Sequence, residues 1–249
     1  MRPLQRYVDR NHLFGRHGFT ALDWLCRSLI GDSFPVRGRA LEIGAGEGLM
    51  SLWLLDSGAS QVVSLEPEGA GATDGVGRQA AEHRAALDIA PGRWDYRAET
   101  LQAFADPGPF ELILSHQSIN HLDEEACTRI GDSAEARRRY HEIFTKIRGL
   151  LAPGGRFVVF DVGRANAWGA LGLECPWARH IEWFKHQEPE TWCALLGAAG
   201  LEADSRWFLP YYNTRWLDPI LRRRVVARCL SSSFVIGARR GSSAAAAPA

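Results

Sequence analysis

Apolar residues fall along this chain in two alternating rhythms. Short runs of strand length occupy 39–43, 61–65, 93–97, 110–115, 156–162, 202–209 and 232–238, and each reads as a β-strand. Between them, apolar positions at three- and four-residue spacing predict helices over 49–57, 78–87, 134–151 and 189–199. The third of these sets Tyr140, Ile143, Phe144, Ile147 and Leu150 on one side. The fourth has Pro189 at its first position and Gly200 after its end, the usual places for these residues. Ahead of the first strand, Leu13, Phe14, Phe19, Leu22, Leu25 and Ile30 predict one or two N-terminal helices. The glycine-rich stretch 68–77 reads as a loop, 116–133 as a loop or short helix, and Pro153-Gly154-Gly155 as a tight turn ahead of the fifth strand. Alternation of this kind implies an α/β fold with a doubly wound, mostly parallel sheet of seven strands and helices on both faces.

Composition narrows the picture without changing it. A chain of 249 residues fits one α/β domain with additions. A net charge of zero argues against a broad nucleic-acid surface. The basic run Arg222-Arg223-Arg224 reads as a solvated helix face. Five cysteines are scattered with no C-x-x-C pair, so neither a disulfide framework nor a zinc site is expected, and reduced cytoplasmic thiols are. The arginine-rich start, 1–17, lacks the apolar core of a signal peptide, and no run reaches membrane-spanning length. The small residues of 241–249 read as a disordered tail.

The chemistry concentrates at the end of the first strand, in Leu41-Glu42-Ile43-Gly44-Ala45-Gly46-Glu47-Gly48. Glycines at alternate positions bare the backbone where a strand turns into a helix, so a ligand can approach it closely. The dinucleotide fingerprint G-x-G-x-x-G seats a pyrophosphate on the helix N-terminus. Here the third glycine comes one residue early and the acid Glu42 precedes the first, which suits a cationic ligand better than a pyrophosphate.

The E-x-G-x-G-x-G pattern of residues 42–48 resembles the first motif of the class I S-adenosylmethionine-dependent methyltransferases. Glu66 closes the second strand where that family places an acid, and a carboxylate there can accept from both ribose hydroxyls of the cofactor. Glu99 follows the third strand, where the family often meets the adenine amino group. Phe110-Glu111-Leu112-Ile113-Leu114-Ser115 resembles the family's fourth strand, and 150–159 its helix, turn and fifth strand. The resemblance spans roughly 38–162 plus the two late strands. It implies S-adenosyl-L-methionine as cofactor and a last strand antiparallel to its neighbour. The cofactor would be held by Glu42, Gly44, Gly46, Gly48, Glu66, Glu99 and Ser115. Residues 1–240 are expected to form a single methyltransferase domain, with an N-terminal helical cap at 1–37, a cofactor-binding core at 38–162, and substrate-cap segments with late core elements at 163–230.

Ligands of open α/β sheets bind at the carboxyl ends of the strands. Three long segments leave the sheet there, 116–133, 161–188 and 210–230, and are expected to cap the acceptor. They or their flanks carry Trp168, Trp177, Trp183, Phe184, Trp207, Tyr211, Tyr212 and Trp216, which suits a small-molecule acceptor that is partly apolar. A hydroxyl acceptor gains from a base, and histidine is poised near neutral pH. The candidate base is His121, with His116 next. His180 and His186 flank Glu182 in the second segment. His121, Asp123, Asp161, His180 and His186 show no recognised ligand spacing, so no metal is expected. Two rival readings are a nicotinamide-dependent oxidoreductase, disfavoured by the glycine spacing and Glu42, and a noncatalytic cofactor-binding scaffold or partner subunit, for which the aromatic cap would be an interface.

Overall fold

The computed structural model describes residues 1–31, 34–67, 74–176 and 181–240. Seven strands among them form one sheet: β1 (Arg39–Ile43), β2 (Gln61–Leu65), β3 (Trp94–Arg97), β4 (Phe110–His116), β5 (Leu151–Val162), β6 (Leu201–Trp207) and β7 (Ser233–Arg240). Their order is β3-β2-β1-β4-β5-β7-β6. The first five pair in parallel, and β7 runs antiparallel to both β5 and β6. The described helices are α1 (Pro3–Arg10), α2 (Gly18–Ile30), α3 (Leu49–Asp56), α4 (Val76–Ala86), α5 (Glu124–Arg129), α6 (Ala134–Leu150), α7 (Ala167–Ala170), α8 (Pro189–Ala198), α9 (Asp218–Leu221) and α10 (Arg224–Cys229).

Strand alternation divides the side chains between two apolar layers. Leu41, Ile43, Val63, Leu65 and Ile113 face Tyr140 and Phe144 of α6 and Trp192 of α8. Ala40, Val62, Leu112 and Leu114 face the opposite layer, with Leu22 and Leu25 of α2 and Leu52 and Trp53 of α3. Each fully buried side chain of this size contributes about 1.5–3 kcal/mol. Both faces of β4 are covered, which is why its sequence reads as a continuous apolar run. Chain direction across the sheet reverses between β1 and β4, so a crevice opens beside their carboxyl ends.

The tight turn expected at Pro153-Gly154-Gly155 lies inside β5. Phe110 pairs with Leu151 and Leu112 with Arg156, so β5 loops out residues that have no counterpart on β4. Proline lacks a donor for the ladder and Gly154 takes a left-handed φ of 75°, so the strand bulges there without ending. The helix expected from 78 begins at Val76. The tail 241–249, most of the loop 68–77, Trp177 and His180 lie outside the described residues. No described helix is long and apolar enough to cross a membrane.

Candidate active site

The crevice is a cavity of about 230 Å³ whose walls come from four strand ends. Ile43, Gly44 and Gly46 follow β1, Leu65 and Glu66 follow β2, Glu99 to Gln102 follow β3, and Gln117, Ser118, His121 and Leu122 follow β4.

The glycine loop is tied to β2 by the Gly44 and Ala45 amides, which donate to the Leu65 carbonyl at 2.8 and 3.2 Å. Its three glycines are bare for different reasons. A Cβ on Gly44 would meet the Ser118 Cβ at 2.3 Å, and one on Gly48 the Trp94 ring at 2.3 Å. A Cβ on Gly46, at φ 51°, would meet nothing within 4 Å among the described residues. Protein packing therefore accounts for Gly44 and Gly48, whereas Gly46 faces open cavity. Gly46 is also held on both sides of its backbone. Its amide donates to Glu66 Oε2 at 2.7 Å, and Tyr96 Oη donates to its carbonyl at 2.7 Å. Glu66 keeps Oε1 without a hydrogen bond among the described residues and can accept from a ligand.

Glu42 does not line the cavity. Alternation along β1 turns it under α3, where Ser51 donates to its carboxyl group. Behind Ser51 stands Ser64, 2.5 Å away, which accepts from Trp94 Nε1 at 2.8 Å. Burial pushes the Glu42 pKa up to about 8. Ser115 is likewise below the surface. Its hydroxyl meets Ser118 Oγ at 2.8 Å, and Ser118 donates to the Ile43 carbonyl at 2.6 Å. Glu99 does line the cavity, with Arg97 Nη1 3.3 Å from its Oε1.

The two candidate bases separate. His116 stacks on Phe160 with ring centres 4.9 Å apart and is not on the cavity wall. Burial pushes its pKa down to about 4, although an edge of the residue remains accessible. That makes it a weak proton acceptor, packed against Phe160. His121 stands on a 3-10 turn, Asn120–Leu122, at the cavity edge. Its Nδ1 lies 2.5 Å from Glu124 Oε1. The His121 hydrogen bond and Lys185, 3.6 Å away, hold the Glu124 carboxyl below its usual range.

Asp123 accepts from the Ala126 amide as the cap of α5 and pairs with Arg139 at 2.9 Å. Among the described residues no three His, Cys, Asp or Glu side chains are grouped to hold a metal ion. All five cysteines are free. Of the cap aromatics, Trp207 packs edge-on to Phe234, Trp168 donates to the Cys229 carbonyl, and Tyr212 meets Trp24 and His17 of the N-terminal region. Phe184 and Trp216 are exposed.

Gln117 and Ser118 were not singled out from sequence. Gln117 takes φ 53° because its amide reaches back to the Phe160 carbonyl at 2.7 Å, a long-range bond with no local signature. Leu101 and Gln102 enter the wall only because β3 lies at the sheet edge beside β2.

A family model described as a methyltransferase domain matches residues 15–206. No curated protein matches the chain. Among solved structures, the chain is similar to an S-adenosylmethionine-dependent methyltransferase from Mesorhizobium loti, at 18% identity and a TM-score of 0.58, covering 88% of this chain and 98% of that one. It is similar to the YcgJ protein from Bacillus subtilis at 14% identity and 0.53, covering 89% and 98%. It is also similar to the protein of the DhpI-SAM-HEP complex at 14% identity and 0.54, covering 96% and 94%. At these identities the likeness is one of fold.

Proposed function

Because the chain belongs to the methyltransferase family, we propose that it carries a methyl group from S-adenosylmethionine to a small-molecule acceptor. When bound, S-adenosylmethionine supplies an electrophilic sulfonium methyl. The observation that carries the reading is Gly46, left-handed, pinned on both sides and facing space that no side chain of the described residues fills. Gly46 lets the cofactor approach the backbone, the free oxygen of Glu66 accepts from ribose, and Glu99 borders the adenine end. Glu42 and Ser115 act from beneath, by fixing the loop and Ser118.

The acceptor is a hydroxyl compound in preference to an amine. His121, on the cavity wall and oriented by Glu124, takes its proton as general base. Residues 1–240 act as one domain whose late segments cap the acceptor, with neither nucleic acid nor membrane as partner. Five free thiols support a cytoplasmic setting.

Calorimetry with S-adenosylhomocysteine tests the cofactor claim through two glycine variants. Gly46→Ala adds a methyl group where only ligand would stand; its left-handed φ costs about 1–2 kcal/mol of stability, and it is expected to stay folded while losing at least tenfold in affinity. Gly48→Ala strikes Trp94 and is expected to lower the melting temperature first. Absence of binding by the wild type would overturn the assignment, as would undiminished affinity in Gly46→Ala. His121→Ala should lower kcat at least a hundredfold with cofactor affinity kept; retained turnover would reject the base.

A further inference from the structure

A second histidine–carboxylate pair stands at the carboxyl end of β5, in residues to which the methyl-transfer reading gives no work. Asp161 is 1% exposed, and its Oδ1 accepts from the Val162 amide at 2.8 Å. Its Oδ2 is buried with no hydrogen-bond partner among the described residues. His186 Nδ1 lies 3.2 Å from Oδ1 and is itself buried and unsatisfied, the two groups facing without full alignment. A buried carboxylate oxygen left without a partner costs about 1–3 kcal/mol, so the arrangement calls for a reason. Among the described residues, Nε2 of the same ring carries no hydrogen bond, and it is not among the buried unpaired atoms.

The segment bearing His186 is firmly held. Gln187 Nε2 donates to the Cys127 carbonyl at 2.6 Å, and Cys127 Sγ donates to the Lys185 carbonyl at 3.2 Å. Lys185, next to His186 in the chain, faces Glu124, the partner of His121, so one chain of ion pairs ties the second cap segment to the first. Phe184, two residues before His186, exposes 54% of its surface. An apolar ring thus lies close along the chain to an imidazole whose rear nitrogen faces a carboxyl group.

We propose that His186, with its tautomer fixed by Asp161, anchors the acceptor by accepting a hydrogen bond at Nε2 from a hydroxyl group on an aromatic or similarly apolar molecule. The chemistry follows from the pair. A carboxylate facing Nδ1 favours the proton there, which leaves Nε2 with a lone pair and no hydrogen. Such a nitrogen receives a hydroxyl donor and offers nothing to an ether or ketone oxygen. This inference deepens the reading of a hydroxyl acceptor and rests on it.

The test uses the full-length protein labelled with 15N-histidine at pH 8. Two-bond 15N–1H spectra are recorded with and without S-adenosylhomocysteine, and His186→Asn assigns the ring. Phenol and 4-methylphenol are then titrated against anisole and 4-methylanisole. The expected result is an Nδ1–H tautomer for His186, with shifts at least fivefold larger for the phenols than for the matched ethers. Asp161→Asn is expected to release the tautomer and erase the difference. An Nε2–H tautomer in the wild type, equal responses to both classes, or no response would overturn the proposal. Calorimetric binding of S-adenosylhomocysteine is read separately, so failure of the cofactor site is distinguishable from failure of the anchor.

Discussion

Glu42 shows how one residue can keep a motif's identity and change its place. Its position ahead of the glycines fits a ligand-facing acid, yet the two-residue period of β1 turns it under α3, away from the cavity. Serine hydroxyls and Trp94 line up behind it, but burial outweighs them, and the pKa stands at about 8. A carboxyl whose folded pKa is raised holds a proton that the unfolded chain has lost above its own pKa. Stability contributed by that proton is present at low pH and declines as pH rises from the unfolded value near 4.5 to about 8. Glu42→Gln fixes the neutral form. Measured without cofactor, its melting temperature should match wild type near pH 5 and exceed it increasingly toward pH 8. A constant offset across that range would show that Glu42 does not titrate in this window.

At the scale of elements, the loop after β4 depends on a helix far along the chain. Tyr140 of α6 is fully buried, and its hydroxyl donates toward the carbonyls of Ile119, Asn120 and Asp123 at 3.0, 3.2 and 3.3 Å. Those carbonyls bracket His121. Tyr140→Phe keeps the ring packed against Phe144 and Trp192 and removes only the oxygen, at a cost of about 1–2 kcal/mol. Hydrogen exchange should quicken at amides 118–124 and stay unchanged in β1 and β2; uniform quickening would mean general loosening instead. The stripe carrying Tyr140 was legible in sequence because helical spacing is local. Its grip on the loop was not, since 21 residues separate Tyr140 from Ile119. The same division runs through the rest. Gly44 to Gly48, Glu66 and the strand runs announce themselves by neighbours in sequence. Ser118 against Gly44 and Asp161 against His186 exist only once the fold brings separate segments together. The bulge in β5 escaped for a related reason: proline and glycine mark a break locally, and only the pairing of β4 on both sides of it keeps one strand.

For the whole molecule, the cavity is a junction. Its walls follow β1, β2, β3 and β4, whose ends are joined there by backbone ladders and a few side-chain hydrogen bonds, such as Glu66 and Tyr96 to Gly46 and Ser118 to Ile43. A ligand filling it contacts all four ends at once and binds only when they are assembled, so it stabilises the folded state by mass action. At a hundredfold excess over Kd that amounts to about 2.7 kcal/mol. In a chain of this size each kcal/mol shifts the melting temperature by roughly 2–4 °C. S-adenosylhomocysteine should therefore raise Tm by about 5–10 °C, and the shift should grow with the logarithm of its concentration. Gly46→Ala should flatten that response, because its methyl group occupies the cavity side of the loop. His186→Asn, on the acceptor side, should leave it intact. If NADH produced the shift and S-adenosylhomocysteine did not, the cavity would belong to a nicotinamide, and the early third glycine would have been misread. If both variants flattened the response, the two ends of the crevice would be one site, and the division between donor and acceptor sides would fall.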